Sequence, residues 1–165
     1  MNGIRFAQGL KVLPILAPQN IVATATATSY VDLDLVNWAT FAVQLGAMTS
    51  DSTDTVTFTV EASTAGTSNA TEVAIAFNYR LSSAVDTDSM GAITAGSTSG
   101  VAVTAADDNK VLIVDVDPAV VQGTGADFRY VRLVATPNTE MASCNLGVVA
   151  YLEHRYPGNS IPTST

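Results

Sequence analysis

Apolar and polar side chains alternate along this chain in short runs separated by turn-forming clusters, which is the pattern of strands with one buried and one wet face. The clearest run is Thr55 to Ala62, where Val56, Phe58, Val60 and Ala62 are predicted to point inward and Thr55, Thr57, Thr59 and Glu61 outward. Trp38 to Leu45 alternates the same way, with Ala39, Phe41, Val43 and Leu45 on one face and Trp38, Thr40, Ala42 and Gln44 on the other, and Gly46 ends it. Residues 21 to 28 read as a strand with a small-residue face. After a turn at Ser29 comes Val31 to Leu35. Val73, Ile75, Phe77, Tyr79 and Leu81 share one face of a further strand.

Ser82 to Gly100 is a long polar segment rich in Ser, Asp, Thr and Gly, expected to be a loop. Val101 to Thr104 reads as a short strand, and Lys110 to Val116 is apolar on both faces, as a strand covered on both sides would be; Pro118 is expected to stop it. Phe128 to Thr136 and Cys144 to Tyr156 are the last two strands. No window of a dozen residues has a helical period. The chain is therefore expected to be all-β: an antiparallel β-sandwich, jelly-roll-like, of about eight or nine strands over residues 21–156. The first twenty residues lack a clean period and contain Pro14 and Pro18, so residues 1–20 are read as an extended N-terminal arm and 157–165 as a polar C-terminal tail.

Composition agrees with strands and narrows the function. Thr and Val make up roughly a quarter of the 165 residues, and only 13% are charged, about half the usual share. A surface so thin in charge suggests that a partner covers part of it. Fifteen acidic residues against seven basic give a net charge of −8, and the basic residues are scattered singly, so direct nucleic-acid binding is not expected. The apolar stretch after Lys11 is too short and too broken by proline for a signal peptide. No run approaches the length of a membrane-spanning helix. Cys144 is the sole cysteine, which forbids an intramolecular disulfide and reads as a buried, inert thiol.

Candidate chemistry is sparse. His154 is the only histidine, placed between Glu153 and Arg155 near the end of the last strand, and no nucleophile elbow, phosphate loop or dinucleotide fingerprint occurs. One Cys and one His cannot supply the usual zinc ligands. Asp32 with Asp34 and Asp115 with Asp117 are spaced for one strand face, while Asp86 with Asp88 and Asp107 with Asp108 sit in loops. Such pairs suit Ca²⁺, but turn formation and edge protection account for them better. Trp38, Tyr79, Tyr130 and Tyr151 have the spacing of core or interface aromatics, a reading favoured over a sugar-stacking row. The sequon Asn69, Ala70, Thr71 matters only in a secreted eukaryotic protein. No catalytic, cofactor-binding or metal-binding residues are assigned.

The segments ATATATSYVDLDLVNWATFAVQLGAMT (23–49), DTVTFTVEASTAGTSNATEVAIAFNYRL (54–81), KVLIVDVD (110–117) and FRYVRLVAT (128–136) resemble, in composition and strand rhythm, small β-sandwich virion proteins of tailed bacteriophages. The resemblance implies head decoration or cement on the capsid exterior, in a virion assembled in the host cytoplasm. Partners would be copies of the same chain, as a trimer, and the major capsid protein or another virion protein. A tail or neck component and a carbohydrate-binding sandwich are the alternatives. The candidate partner-binding residues are Ile4, Phe6, Leu10, Val12, Leu13, Ile15 and Leu16, an apolar series that gains most by lying across a neighbouring subunit. The same series also reads as the first strand of the sandwich itself.

Overall fold

Strands with one apolar face bury it most economically by stacking two sheets with those faces together. The computed structural model describes residues 10–22, 24–49, 54–67, 70–138 and 142–155 and has this arrangement. Its strands are β1 (Leu10–Asn20), β2 (Thr26–Ala27), β3 (Val31–Asp32), β4 (Val36–Thr49), β5 (Thr55–Ser63), β6 (Glu72–Ile75), β7 (Phe77–Leu81), β8 (Thr94–Gly96), β9 (Val101–Thr104), β10 (Val111–Val116), β11 (Tyr130–Pro137) and β12 (Ser143–His154). Sheet I runs β1-β12-β4-β10-β7-β8. Sheet II centres on β11 and β5, with β2 and β3 beside β11 and with β6 and β9 beside β5. Every pairing between these strands is antiparallel.

The expected all-β sandwich is thus the fold, with twelve strands among the described residues in place of eight or nine. The surplus has physical causes. Val73 to Leu81 is not one strand: it breaks at Ala76, so β6 pairs with β5 in sheet II while β7 pairs with β10 in sheet I. Ile75 and Phe77 stay buried on both sides of the break, because a strand that turns the corner of a sandwich keeps its inner face inward. Among its described residues, the stretch 21–28 contributes only Thr26–Ala27 as strand. There the Thr28 hydroxyl accepts the Leu133 N–H at 3.1 Å, interrupting the backbone ladder before β3 resumes it along the same β11.

The segment expected to be an arm also lies differently. Residues 10–20 form β1, the edge strand of sheet I, paired in register from Leu10↔Glu153 to Asn20↔Asn145 with irregularities around Ile15 and between Leu16 and Gln19. Its Ile15 is buried in the core, and Leu13 and Leu16 pack against that core. The boundary at residue 20 is therefore corrected: of the arm, residues 1–9 lie outside the described residues, as does the tail 157–165.

The core fills the space between the sheets. Phe41, Val43 and Leu45 of β4 meet Phe58 and Val60 of β5, Leu133 of β11 and Leu146 and Leu152 of β12 in one buried cluster. Pro118 does end β10, and it also begins a short helix, α1 (Pro118–Gly123), because its fixed φ suits a first helical turn and the Asp117 carboxylate accepts the Ala119 N–H at 2.8 Å. Within the long polar segment, β8 adds a three-residue edge to β7, placing Gly96 opposite Phe77.

Candidate interaction face

The two sheets turn very different outer faces away from the core. On sheet II the outward rows carry Thr55, Thr57, Thr59 and Glu61 of β5 beside Arg132 of β11 and Glu72 of β6. Arg132 donates to Glu61 at 2.8 Å and to Glu72 at 2.6 Å, and its guanidinium lies 4.9 Å from the centroid of the Tyr30 ring. The Tyr30 hydroxyl donates to Glu72. Burial first, and the bond to Glu72 second, push the Tyr30 phenol above its usual pKa. This face satisfies its own charges and presents hydroxyls to water.

The outer face of sheet I is the opposite. Antiparallel register aligns its outward side chains in rows across β1, β12, β4 and β10. The first row is Leu10, Glu153 and Trp38. Next come Val12, Tyr151, Thr40 and Asp115, and then Pro14, Val149, Ala42 and Ile113. Gly147, Gln44 and Val111 follow, and Asn145 with Gly46 closes the face. Val12 and Trp38 are 43% and 37% exposed. Two depressions mark it: one lined by Leu10, Trp38, Thr40, Tyr151 and Glu153, the other a groove of about 720 Å³ among Pro14, Pro18, Ala42, Gly46, Gly147 and Val149. Gly147 matters to the groove wall, since a Cβ there would stand 3.2 Å from the Pro18 ring.

One charged group of this face, Asp115, is tied down. The Asp115 carboxylate accepts from the Thr40 hydroxyl at 2.6 Å and from the Trp38 indole N–H at 3.4 Å, holding the indole at one end of the face. Val111 and Ile113 explain why Lys110 to Val116 is apolar on both sides: one side is core, and the other, half-buried, belongs to this face and is covered by no element of the described chain.

Three of the four acidic pairs have at least one carboxylate taken up structurally. Asp32 is buried, pairs with Arg129 at 2.7 Å and accepts the Asp34 N–H at 3.0 Å, so it closes a turn. Asp107 completes a capping box with Thr104 and pairs with Lys110 at 3.0 Å; Asp117 caps α1. Asp86 and Asp88 stand exposed in the loop after β7, with Asp86 at φ 55°. No group of three or more His, Cys, Asp or Glu gathers as a metal site among the described residues. His154 is half-buried, and its Nδ1 has no hydrogen-bond partner among the described residues. Cys144 is fully buried, and desolvation raises its thiol to about 11, far from the thiolate that reactivity requires.

The four aromatic candidates do not assemble into one platform. Trp38 and Tyr151 share the outer face of sheet I, whereas Tyr79 packs against the core 6.3 Å from the Phe77 ring and Tyr130 lies under the Arg129 guanidinium. Of the partner-binding candidates, Leu10, Val12, Leu13, Ile15 and Leu16 fall on β1: Leu10 and Val12 border the outer face, Leu13 and Ile15 serve the core, and Leu16 both packs on the core and lines the groove. Ile4 and Phe6 lie outside the described residues, as does Asn69 of the sequon. Sequence reasoning placed Ala42 on the outer row of its strand but missed Gly147, Val149 and Ile113 as surface. Their signal was the near-absence of polar alternates in β10 and β12.

No family model and no curated protein matches the chain. Among solved structures, one of infectious bursal disease virus, Gt strain, aligns at 11% identity over 91% of this chain and 37% of that chain, with a TM-score of 0.25, too low to establish a shared architecture.

Proposed function

We propose that this chain is a structural virion protein of a tailed bacteriophage, a head-decoration or cement module that acts by assembly and not by catalysis. The observation that carries this reading is the contrast between its two outer faces. Sheet II offers water hydroxyls and an internally paired Arg–Glu–Glu cluster, while sheet I offers Val12, Ala42, Ile113, Val149, Trp38 and Tyr151 with little charge. A continuous apolar patch of this kind on an otherwise polar domain marks a protein–protein contact surface. A module that acts by assembly needs one face for contact with another protein and one for water. The resemblance in strand rhythm to phage sandwich proteins supplies the virion setting, and the structural duties taken up by Asp32, Asp107, Asp115 and Asp117 leave those carboxylates committed to the fold.

The test is direct. Virions purified from a genome that encodes this chain should contain it at a copy number matching the capsid lattice when quantified by mass spectrometry, and gold-labelled antibody should decorate the heads. Labelling confined to tails would replace head decoration by a tail role. Absence of the chain from purified particles would refute the proposal.

A further inference from the structure

We infer that the outer face of sheet I is a homodimer interface, closed by a two-fold axis that runs across the strands through the row Pro14, Val149, Ala42 and Ile113. The inference rests on reading this face as an assembly surface, and it identifies the partner as a second copy of the chain, a two-fold pair in place of the trimer expected from the resemblance.

Shape supports that partner and that axis. The face is lopsided: its aromatic bulk, Trp38 and Tyr151, stands at one end, and its glycines, Gly46 and Gly147, lie at the other beside the groove. A two-fold across the strands preserves the strand order and reverses the strand direction. It therefore brings Tyr151 of one copy over Gly147 of the other, and Trp38 over Gly46, with the same two fits repeated on the far side of the axis. Two knobs meet two hollows, which is the self-complementarity an isologous contact needs. The middle row, which meets itself, holds only small or uncharged side chains on the four strands, with Ala42 and Val149 directly opposite one another, and continues to Arg80 of β7 at the rim of the contact.

Charge points the same way. Each copy carries −8, so association must keep carboxylates apart. Glu153 and Asp115 both lie in the first two rows. The proposed axis carries Glu153 over the Asn145 amide and Asp115 over Val111, away from their own symmetry mates. An axis along the strands would instead bring the acidic ends of both copies together.

Size suffices. Four strands at a spacing of about 4.8 Å and five rows at a rise of about 3.3 Å per residue give a face of about 500 Å² on each copy. The pair then covers about 1,000 Å², the lower bound for a specific interface. Extension of the sheet by edge pairing is the competing mode, and β1 resists it: Pro14 and Pro18 lack N–H donors, and the irregularities beside them bend the edge.

Sedimentation velocity on the full chain, from low to high micromolar, should show a monomer–dimer equilibrium. Trp38 is the only tryptophan, so its emission should shift to the blue and resist iodide quenching as the dimer forms. Ala42→Glu sets two carboxylates face to face at the axis and should weaken the dimer about a hundredfold or more with an unchanged far-UV circular dichroism spectrum. Trp38→Ala, which alters no buried core position, should weaken it as well, and oxidised Ala42→Cys should cross-link to its own mate while the buried Cys144 stays unreacted. A wild-type chain that is monomeric at every concentration, or a dimer that Ala42→Glu and Trp38→Ala both leave intact, overturns the inference. A chain that enters virions yet never dimerises overturns the interface and spares the virion role; a dimer absent from virions does the reverse.

Discussion

Phe77 sits where the chain passes from sheet II to sheet I, and its ring rests on the backbone of Gly96 across the β7–β8 pair. A Cβ built on Gly96 falls 2.7 Å from Phe77 Cε2 and 2.8 Å from Cζ, closer than real contacts allow. Gly96→Ala must therefore displace the ring, an overpacking expected to cost about 1–3 kcal/mol. Phe77→Ala removes a buried aromatic and should cost about 3–5 kcal/mol. Combined, the new methyl enters the space the ring has left. Its burial gains about 0.8 kcal/mol, so the double variant should be no less stable than Phe77→Ala alone. The cycle then yields a coupling of about 2–4 kcal/mol, with each substitution relieving the other. Urea unfolding followed by far-UV circular dichroism measures all four corners, and an unchanged m-value confirms that only stability has moved. Additivity within about 0.5 kcal/mol would mean the ring and Gly96 do not touch, and the register Phe77↔Gly96 would fall with it.

Two further outcomes follow from the electrostatics. Arg132→Met leaves Glu61 and Glu72 facing each other without their shared cation; with all three side chains only 17–25% exposed, thermal denaturation should show a loss of about 1–2 kcal/mol, and adding Glu72→Gln should recover part of it. No recovery would mean that the two carboxylates do not repel. The Cys144 thiol is held at about 11 by burial against an ordinary value of 9.0, so the folded state favours its neutral form. That contribution is complete below pH 9 and is lost as pH rises from 9 to about 11, where the unfolded thiol ionises first; it amounts to about 2–3 kcal/mol. The slope of stability against pH in this window should flatten in Cys144→Ala relative to the wild type, and identical slopes would refute a buried thiol.

Much of the fold was legible from one-dimensional pattern, because alternation reports directly which row of a strand faces the core. Phe41, Val43, Val56, Phe58 and Val60 are buried as their period requires, and β4, β5 and β11 lie close to where the alternation placed them. What the period cannot report is which sheet a strand joins. Ile75 and Phe77 keep the same inward phase while the chain changes sheets between them, since both sheets share one interior. Nor does period detect a short edge such as β8, whose Thr94 and Ala95 are exposed and whose place is set by pairing with β7.

The same division governs the candidate face. The sequence by itself determined that β10 is apolar on both sides and that charge is scarce. It offered the leading apolar series as an arm or as a first strand, and the choice between them was tertiary: Leu10–Asn20 finds its ladder on β12, more than a hundred residues away, and hands Leu13 and Ile15 to the core. Only the register across β1, β12, β4 and β10 then brought Val12, Val149, Ala42 and Ile113 onto one uncovered surface, with Trp38 at one end and Gly147 at the other. The physical reason is that a strand's own residues decide which way each side chain points, whereas a patch is made by side chains from different strands, and their neighbours are chosen by long-range hydrogen-bond pairing that local pattern does not encode.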